Sequence, residues 1–356
     1  MMEKIKKLSQ KPLFLPLFYL VLILLVNLIK DPSFFAVSLN NGVLYGRLVD
    51  IANRGSEIAI LAVGMTLVVA VSAGTDISVG SVMALSACTC CVTLVGYGVD
   101  TSNTIVVPMV IGLLAGVLTG ALCGCFNGFL VAKLHIQPMV ATLILYTAAR
   151  AIGLVVNHNK IVYVRYEPFK MFGNFIGTCP IPTPIFIAAA VIALVTLLLK
   201  RTALGTYIEA VGINSSASRL LGINSMWICF LCYLLCGVCA GIAGVVGASR
   251  IYSADANNIG LNYEMDAILA VALGGNSLGG GRFNLAGSII GAYTIQGLTT
   301  TLLAMGVSTD QAPVFKAIVI ILVVAIQAPA VRNFLRDYSA RRAAQKLENV
   351  GEVAAK

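Results

Sequence analysis

The chain has 356 residues, of which 58% are hydrophobic and only 11% are charged, and its formal net charge is +9 at pH 7. So much apolar surface exceeds what a soluble core can bury, which excludes an ordinary soluble protein and indicates a lipid bilayer as the solvent. Basic residues that mark one side of a membrane account for the positive charge, so we expect no nucleic-acid partner.

Apolar segments recur along the whole chain, and a spanning helix needs roughly 20 such residues. We predict an all-α, polytopic membrane protein with about ten transmembrane helices, some of them interrupted. The eighth segment is too short to span alone, and the second is marginal. In chain order the predicted spans are Leu13–Ile29, Glu57–Val71, Val82–Gly98, Thr104–Leu130, Met139–Val156, Thr183–Leu199, Met226–Ala248, Met265–Leu273, Ala286–Met305 and Pro313–Gln327.

Basic residues between the predicted spans set the orientation. With the N-terminus in the cytoplasm, about 15 Lys and Arg fall inside against about seven outside, as the positive-inside rule requires. Both termini are then cytoplasmic. The predicted organisation is a cytoplasmic N-terminal segment 1–12, a transmembrane domain 13–328 with a cytoplasmic loop 200–225, and a cytoplasmic C-terminal tail 329–356.

The ten cysteines do not form a metal-binding pattern. Cys229, Cys232, Cys236 and Cys239 resemble paired zinc ligands, but spacings of 3, 4 and 3 place them along one face of a helix inside an apolar span. We predict that they are small packing residues and that the chain binds no metal. The chain also lacks a Gly-x-x-x-x-Gly-Lys loop, so we expect no bound nucleotide.

Glycines recur every four residues through the fourth predicted span. Small residues at this spacing form a ridge on which a second helix can pack closely. The same pattern returns in the seventh and ninth spans. The glycines concerned are Gly112, Gly116, Gly120, Gly124 and Gly128, then Gly237 and Gly241, and finally Gly287 and Gly291.

Two Gly-rich segments, 72–80 and 274–284, interrupt apolar runs. Each follows an Ile-Leu-Ala-Val string and leads to a Gly-Ser pair, at similar distances. These matches reflect either a degenerate internal repeat or chance in so biased a sequence. Interrupted helices in transporters expose backbone polar groups to a cavity, so both segments are candidates for lining one.

Polar side chains within or beside the predicted spans are the candidates for a transport pathway, because they are costly in a membrane. Asp76 either caps the half-helix that follows, by accepting from the backbone of Ser78 or Val79, or contacts a permeant solute. Arg150 either forms a structural ion pair or lies on the pathway. The candidate pathway residues are Asp76, Ser78, Asn127, Thr142, Arg150, Asn276 and Gln296.

The predicted cytoplasmic loop 200–225 is polar and contains signals for a short helix of about 216–221. Asn214 or Ser215 is the expected N-cap, and Gly222 is the expected stop. The loop is either an ordinary connection or the docking site of a second protein.

Two residue types in this loop suggest particular roles. Glu209 either pairs with a basic group of a partner or orders the loop through Arg219. Gly212 and Gly222 are expected to adopt backbone conformations that other residues resist.

Several of these segments resemble the ribose-type permeases of ABC sugar importers. Glu209-Ala-Val-Gly-Ile-Asn214, with Ala217 and Leu221-Gly-Ile223, is similar to the family's coupling loop. Gly74-Thr-Asp-Ile-Ser-Val-Gly80 is similar to its Gly-Ile-Asp-Leu-Ser-Val-Gly signature and departs from it at Thr75 and Ile77. Further matches are Phe126–Lys133, Gln137–Leu143 and Gly274–Arg282, so the resemblance covers residues 50–328, and the stretches 254–260, 265–271 and 281–285 look most like galactofuranose permeases.

The resemblance implies the transmembrane permease subunit of a binding-protein-dependent ABC importer in a bacterial inner membrane. Such a subunit moves a monosaccharide such as galactofuranose, ribose or xylose into the cytoplasm. It is not an enzyme and holds no cofactor, since ATP and Mg bind a separate ATPase. The implied partners are that ATPase, an extracytoplasmic sugar-binding protein, a second permease chain and membrane lipid; the implied ATPase-coupling residues are Glu209, Ala210, Gly212, Asn214, Ala217, Gly222 and Ile223.

Two other classes of membrane protein remain as alternatives. An ion-coupled secondary transporter of a small polar solute could also use broken helices and Asp76. A structural or signalling membrane protein would have no pathway. The sequence leaves open which sugar is carried and whether the permease pairs with itself or with a paralogue.

Overall fold

The structure is a computed structural model that describes residues 13–40, 42–96, 104–177 and 179–327. The predicted cytoplasmic segment 1–12 and tail 329–356 lie outside these residues. The chain divides into two compact units, residues 1–301 and residues 302–356. Within the second unit, the described residues form the last turn of one helix, a turn at Gly306 with a φ of +83°, and a further helix.

Helices make up most of the described residues. Their bounds are α1 Phe14–Lys30, α2 Arg47–Ser72, α3 Val79–Val95, α4 Met109–Gly128 with a π-helical turn Phe129–Lys133, α5 Pro138–Val156, α6 Glu167–Lys170, α7 Thr183–Arg201, α8 Leu204–Ile213, α9 Ser215–Leu220, α10 Ser225–Ile251, α11 Tyr263–Leu273, α12 Leu285–Ala304 and α13 Ala312–Gln327. A 3₁₀ turn, Pro32–Phe35, follows α1.

Four short strands depart from the all-α prediction. Strand β1, Ser38–Asn40, pairs antiparallel with β2, Val43–Tyr45. Strand β3, Val162–Tyr163, pairs antiparallel with β4, Ser253–Ala254, and so joins segments far apart in sequence. Strands of two or three residues are too short to show an alternating pattern, so hydropathy could not predict them.

Five of the described helices are long and apolar enough to cross a bilayer: α2, α4 with its π-helical turn, α5, α7 and α10. Helices α1 and α3 are apolar but have only 17 residues each. Helix α2 begins ten residues before the predicted start at Glu57, because hydropathy marks the apolar part of a helix and not its polar first turns. Helix α11 has 11 residues, consistent with the prediction that the eighth segment is too short to span alone.

Helices α2 and α10 form the centre of the hydrophobic core. Every residue of α2 from Gly55 to Val71 is buried, and α10 packs against α4, α2 and α3. By contrast, α4 and α7 expose large apolar side chains, with Leu122 and Leu194 about 70% and 69% accessible. Apolar surface of this kind is stable against lipid or another protein chain and not against water.

The glycine ridge on α4 packs as the sequence predicted. A methyl group at Gly120 would lie 2.7 Å from the Cα of Gly241, and one at Gly237 would lie 2.7 Å from the Cα of Gly124. The two helices therefore touch backbone to backbone, which requires glycine. Gly287 and Gly291 on α12 approach α11 in the same way, at Gly274 and Ala270.

The cysteines on α10 are packing residues, also as predicted. Cys232, Cys236 and Cys239 are buried and free. The Cα of Cys236 would lie 2.8 Å from a methyl group at Gly64, so this face of α10 packs tightly against α2. In the part of the chain that the structure describes, no group of three or more His, Cys, Asp or Glu could hold a metal ion.

Candidate functional site

The first interruption, 73–78, lies between α2 and α3. Helix α2 ends where Ala73 adopts a left-handed conformation with a φ of +51°. Asp76 is only 3% exposed, and its Oδ1 accepts hydrogen bonds from the Ser78 N–H at 2.9 Å and from the Ser78 hydroxyl at 2.6 Å. The backbone hydrogen bond is the one that the capping interpretation requires. It closes a turn that ends at Ser78, the N-cap residue of α3, and no side chain of that residue caps the first turn.

Two further helices contact this interruption. Asn127 on α4 donates from Nδ2 to Ser78 Oγ at 2.9 Å and to Asp76 Oδ2 at 3.4 Å. Thr142 on α5 accepts from the Ile77 N–H at 3.3 Å. Four predicted pathway residues, Asp76, Ser78, Asn127 and Thr142, thus form one buried polar cluster, which we call the Asp76 cluster. Among the described residues, no cation pairs with Asp76, so hydrogen bonds alone stabilise the carboxylate.

Hydrogen bonds of Asn276 connect the two ends of the second interruption, 274–284. Its Nδ2 donates to the Val271 carbonyl at 3.0 Å and to Ser288 Oγ at 2.8 Å, and its Oδ1 accepts from the Asn284 N–H at 2.5 Å. Thr66 on α2 donates to Ser288 Oγ at 2.7 Å. Asn276 therefore joins the end of α11 to the start of α12, and its polar atoms bond backbone groups and the Ser288 hydroxyl in this conformation.

Arg150 and Gln296 lie apart from these clusters. Arg150 donates from Nη1 to the carbonyls of Ala256 at 2.6 Å and Asn257 at 2.9 Å. In the described residues it forms no ion pair within 4 Å, and its hydrogen bonds hold the irregular segment before α11. Gln296 is 6% exposed and donates to Thr300 Oγ1 at 3.3 Å within α12.

A buried ion pair was missed by sequence reasoning. Arg250 at the end of α10 lies 2.9 Å from Glu57 on α2, and their side chains are 13% and 3% exposed. Tyr263 on α11 donates to Glu57 Oε2 at 3.2 Å. The only sequence signal was an acidic residue at the start of an apolar span, and its partner is too distant in the chain to be paired by pattern.

The predicted cytoplasmic loop 200–225 contains two helices, α8 and α9. We call this loop the coupling segment. Asn214 separates the two helices and caps α9 by accepting from the Ala217 N–H at 3.0 Å. Gly222 follows α9 with a φ of +82°. The N-cap and the stop are therefore confirmed, and α9 begins one residue before the predicted Ser216. Helix α8 was not predicted.

Gly212 differs from its prediction. It lies within α8 with no left-handed conformation, so backbone freedom is not its role. A methyl group there would collide with the Ala70 carbonyl oxygen and lie 2.8 Å from the Gly281 nitrogen. The same carbonyl accepts from the Gly281 N–H at 2.9 Å. Ala70, Gly212 and Gly281 form a backbone junction where α8 touches the end of α2 and the second interruption.

The side chains of the coupling segment divide into packed and exposed groups. Ile223 is partly buried against the core, whereas Leu220 and Leu221 are 90% and 80% exposed. Glu209 is partly exposed and has no ion pair among the described residues. Arg219 instead contacts His135, with Nη2 and Nε2 3.4 Å apart. The hypothesis that Arg219 orders Glu209 is therefore wrong in this conformation.

Residues 47–324 match the family described as branched-chain amino acid transport system / permease component. The galactofuranose transporter permease protein of Escherichia coli K12 is 43% identical over 323 residues, which cover 90% of this chain and 91% of the relative. No solved structure matches the chain.

Two further relatives carry other sugar names. The fructose import permease protein of Bifidobacterium longum is 37% identical, covering 95% of this chain and 94% of the relative. The ribose import permease protein of Escherichia coli K12 is 38% identical, covering 86% and 90%.

These matches and the helical bundle define the membrane component of a transporter, not an enzyme. The chain belongs to the family of ribose-type permeases of ABC importers. The resemblance seen in the sequence is thereby confirmed, although the roles of individual residues stay predictions.

Substitutions at Asp76 separate capping from a requirement for charge. Asp76→Asn keeps an acceptor for the Ser78 N–H, whereas Asp76→Leu leaves that donor and the Ser78 hydroxyl without their acceptor, at about 1–3 kcal/mol per buried group. We expect Asn to retain appreciable uptake and Leu to lose both uptake and thermal stability.

Uptake in cells and melting of the purified protein measure both effects. Asp50→Leu, at an exposed position of α2, is the matched control and should change neither. Equal and complete loss of uptake in both Asp76 variants, at normal membrane levels, would contradict the capping role and indicate a need for the charge.

Proposed function

We propose that this chain is the transmembrane permease of a binding-protein-dependent ABC importer that brings a monosaccharide across the bacterial inner membrane into the cytoplasm. Galactofuranose, fructose and ribose in the relatives' names support a small sugar as substrate. The single observation that carries the mechanism is the contact of the coupling segment with the end of α2 and with the second interruption at the backbone junction.

A separate ATPase would bind ATP and Mg and dock on the coupling segment. The exposed Leu220 and Leu221 offer an apolar surface for that contact, and Glu209 offers a carboxylate with no partner in the described part of its own chain. Closure of the ATPase then moves α8, and the junction passes the movement to Ala70 at the end of α2 and to Gly281 in the second interruption.

The Asp76 cluster lies directly beyond the end of α2. A shift of α2 changes the position of Asp76 relative to Asn127 on α4 and Thr142 on α5, because those helices hold the other half of the cluster. This geometry supports a gate at the first interruption that opens and closes with the ATPase cycle. Arg150, Asn276 and Gln296 are assigned supporting roles in the bundle and no contact with the sugar.

The remaining partners follow from the class of importer. An extracytoplasmic binding protein delivers the sugar, and a second permease chain, identical or paralogous, completes the pathway. The exposed apolar faces of α4 and α7 support contact with that chain or with lipid. The ion-coupled secondary transporter is not proposed, since the chain belongs to the family of ribose-type permeases of ABC importers.

The proposed orientation has ten crossings and cytoplasmic termini. The ten predicted spans correspond to α1–α5, α7 and α10–α13, with the irregular segment before α11 forming the outer part of the eighth crossing. A cysteine introduced at Lys160 should react with an impermeant reagent added to intact cells, and one at Arg219 should not. Similar labelling at the two sites would overturn the orientation.

Charge reversal at Glu209 tests docking of the ATPase. If Glu209 pairs with a basic group of the ATPase, Glu209→Arg replaces attraction with repulsion and should abolish uptake and weaken ATPase co-purification, whereas Glu209→Gln should have a smaller effect. The measurements are sugar uptake in proteoliposomes that hold the complete importer, and the amount of ATPase retained by the purified permease.

Glu167→Arg is the control, since it makes the same charge reversal on α6, outside the coupling segment. It should leave ATPase co-purification unchanged. Normal uptake and co-purification in Glu209→Arg would refute the docking role.

A further inference from the structure

A cavity of about 260 Å³ lies between the coupling segment and the helix bundle. Its walls come from the end of α2, the π-helical turn, the connection to α5, helices α8 and α9, and the first turn of α10. The transport mechanism proposed above does not use this space. Its lining combines basic and polar residues with apolar ones.

The lining carries positive charge without a compensating carboxylate. His135 and Arg219 line the cavity, and no acidic residue does so among the described residues. His135 Nδ1 contacts the Lys133 carbonyl at 3.0 Å, which orients the ring so that Nε2 faces Arg219 Nη2 at 3.4 Å. In the neutral ring, Nδ1 donates to that carbonyl and Nε2 accepts from Arg219. The remaining guanidinium N–H groups are donors for an anion.

Much of the remaining wall of the cavity is apolar. Val71, Val131, Ala132 and Met226 line it, and Met226 is 40% exposed at the surface. A free phosphate or nucleotide phosphate would leave this wall in contact with water. A phospholipid would place its phosphate at the basic residues and its glycerol and first acyl carbons against the apolar side chains.

An exposed tryptophan beside the cavity also fits a lipid headgroup. Trp227, the single tryptophan of the chain, is next to Met226 in the first turn of α10 and is 57% exposed. Tryptophan is enriched at the level of the headgroups, where its ring meets both water and hydrocarbon. Basic pockets between helices at the cytoplasmic surface are the usual sites for anionic headgroups.

We propose that this cavity binds the headgroup of an anionic phospholipid from the cytoplasmic leaflet, and that the bound lipid holds α9 against the connection between α4 and α5. The choice of leaflet rests on the proposed function, whereas binding itself does not. Because Arg219 belongs to α9, occupancy would link the lipid composition of the membrane to the position of the coupling segment.

Fluorescence of Trp227 provides the test. The full chain is reconstituted in phosphatidylcholine vesicles that contain either brominated phosphatidylglycerol or brominated phosphatidylcholine at the same mole fraction. We expect phosphatidylglycerol to quench Trp227 preferentially. Loss of the Arg219 charge should lower the relative affinity for the anionic lipid about fivefold, so Arg219→Gln should reduce the preference. His135→Gln removes the ring that contacts the guanidinium and should reduce the preference less.

Three controls make the test specific. Arg201→Gln removes an exposed basic residue that does not line the cavity and should keep the preference. Arg219→Lys keeps the charge and should keep most of the preference for the anionic lipid. This variant therefore separates loss of binding from loss of fold. Inorganic phosphate should not relieve the quenching.

The proposal fails under any of three results: equal quenching of the wild type by both lipids, an equal loss of preference in Arg201→Gln, or relief of quenching by inorganic phosphate. The last would assign the cavity to free phosphate. None of these results depends on transport, so they leave the importer assignment untouched, and loss of uptake in Glu209→Arg would not bear on the lipid.

Discussion

Backbone groups that are freed where a buried helix ends must find partners within the protein, because an unpaired buried polar group is costly. This chain meets that constraint at two interruptions. Asp76 accepts from the Ser78 N–H just before α3, Asn276 joins α11 to α12, and the Ala70 carbonyl accepts from the Gly281 N–H to connect the end of α2 to the second interruption. Helix α2 is thus hydrogen-bonded to the second interruption, and each interruption also has hydrogen bonds of its own. The contact with the coupling segment depends on that connection.

Close backbone contact is the second constraint, and glycine makes it possible. Helices in a membrane gain little from hiding apolar surface, since lipid is equally apolar, so contact area and fit decide their association. Gly120 and Gly237 bring α4 and α10 together, and Gly212 brings α8 onto Ala70. Packed backbones leave no room for small independent shifts, so a displacement of α8 is transmitted to its neighbours.

Local patterns predicted much of this architecture. The interruptions, the ridge on α4, the Asn214 cap and the stop at Gly222 depend on residues close together in the chain, and the structure has them all. The Asp76 cap was likewise one of two stated alternatives. The short strands and helix α8 escaped prediction because neither carries a distinctive periodicity.

Contacts between distant segments could not be predicted from one sequence. Glu57 meets Arg250, and Arg219 meets His135 instead of Glu209. Each pairing depends on how the helices pack. For the same reason the sequence suggested backbone freedom for Gly212, whereas the structure shows a collision site that only glycine can occupy. The residue types indicated which positions are constrained, but only the packing of the helices shows which neighbour imposes the constraint.

The most direct test of the connection between coupling segment and interruptions is Gly212→Ala in the complete reconstituted importer, with sugar uptake and ATP hydrolysis measured together. One added methyl cannot fit between Ala70 and Gly281, so we predict that the number of sugars transported per ATP falls at least tenfold while the ATPase remains bound. Gly279→Ala adds the same methyl in the second interruption, where its nearest neighbour would be a side-chain oxygen at 3.4 Å, and should keep the ratio. An unchanged ratio in Gly212→Ala would contradict transmission through this junction.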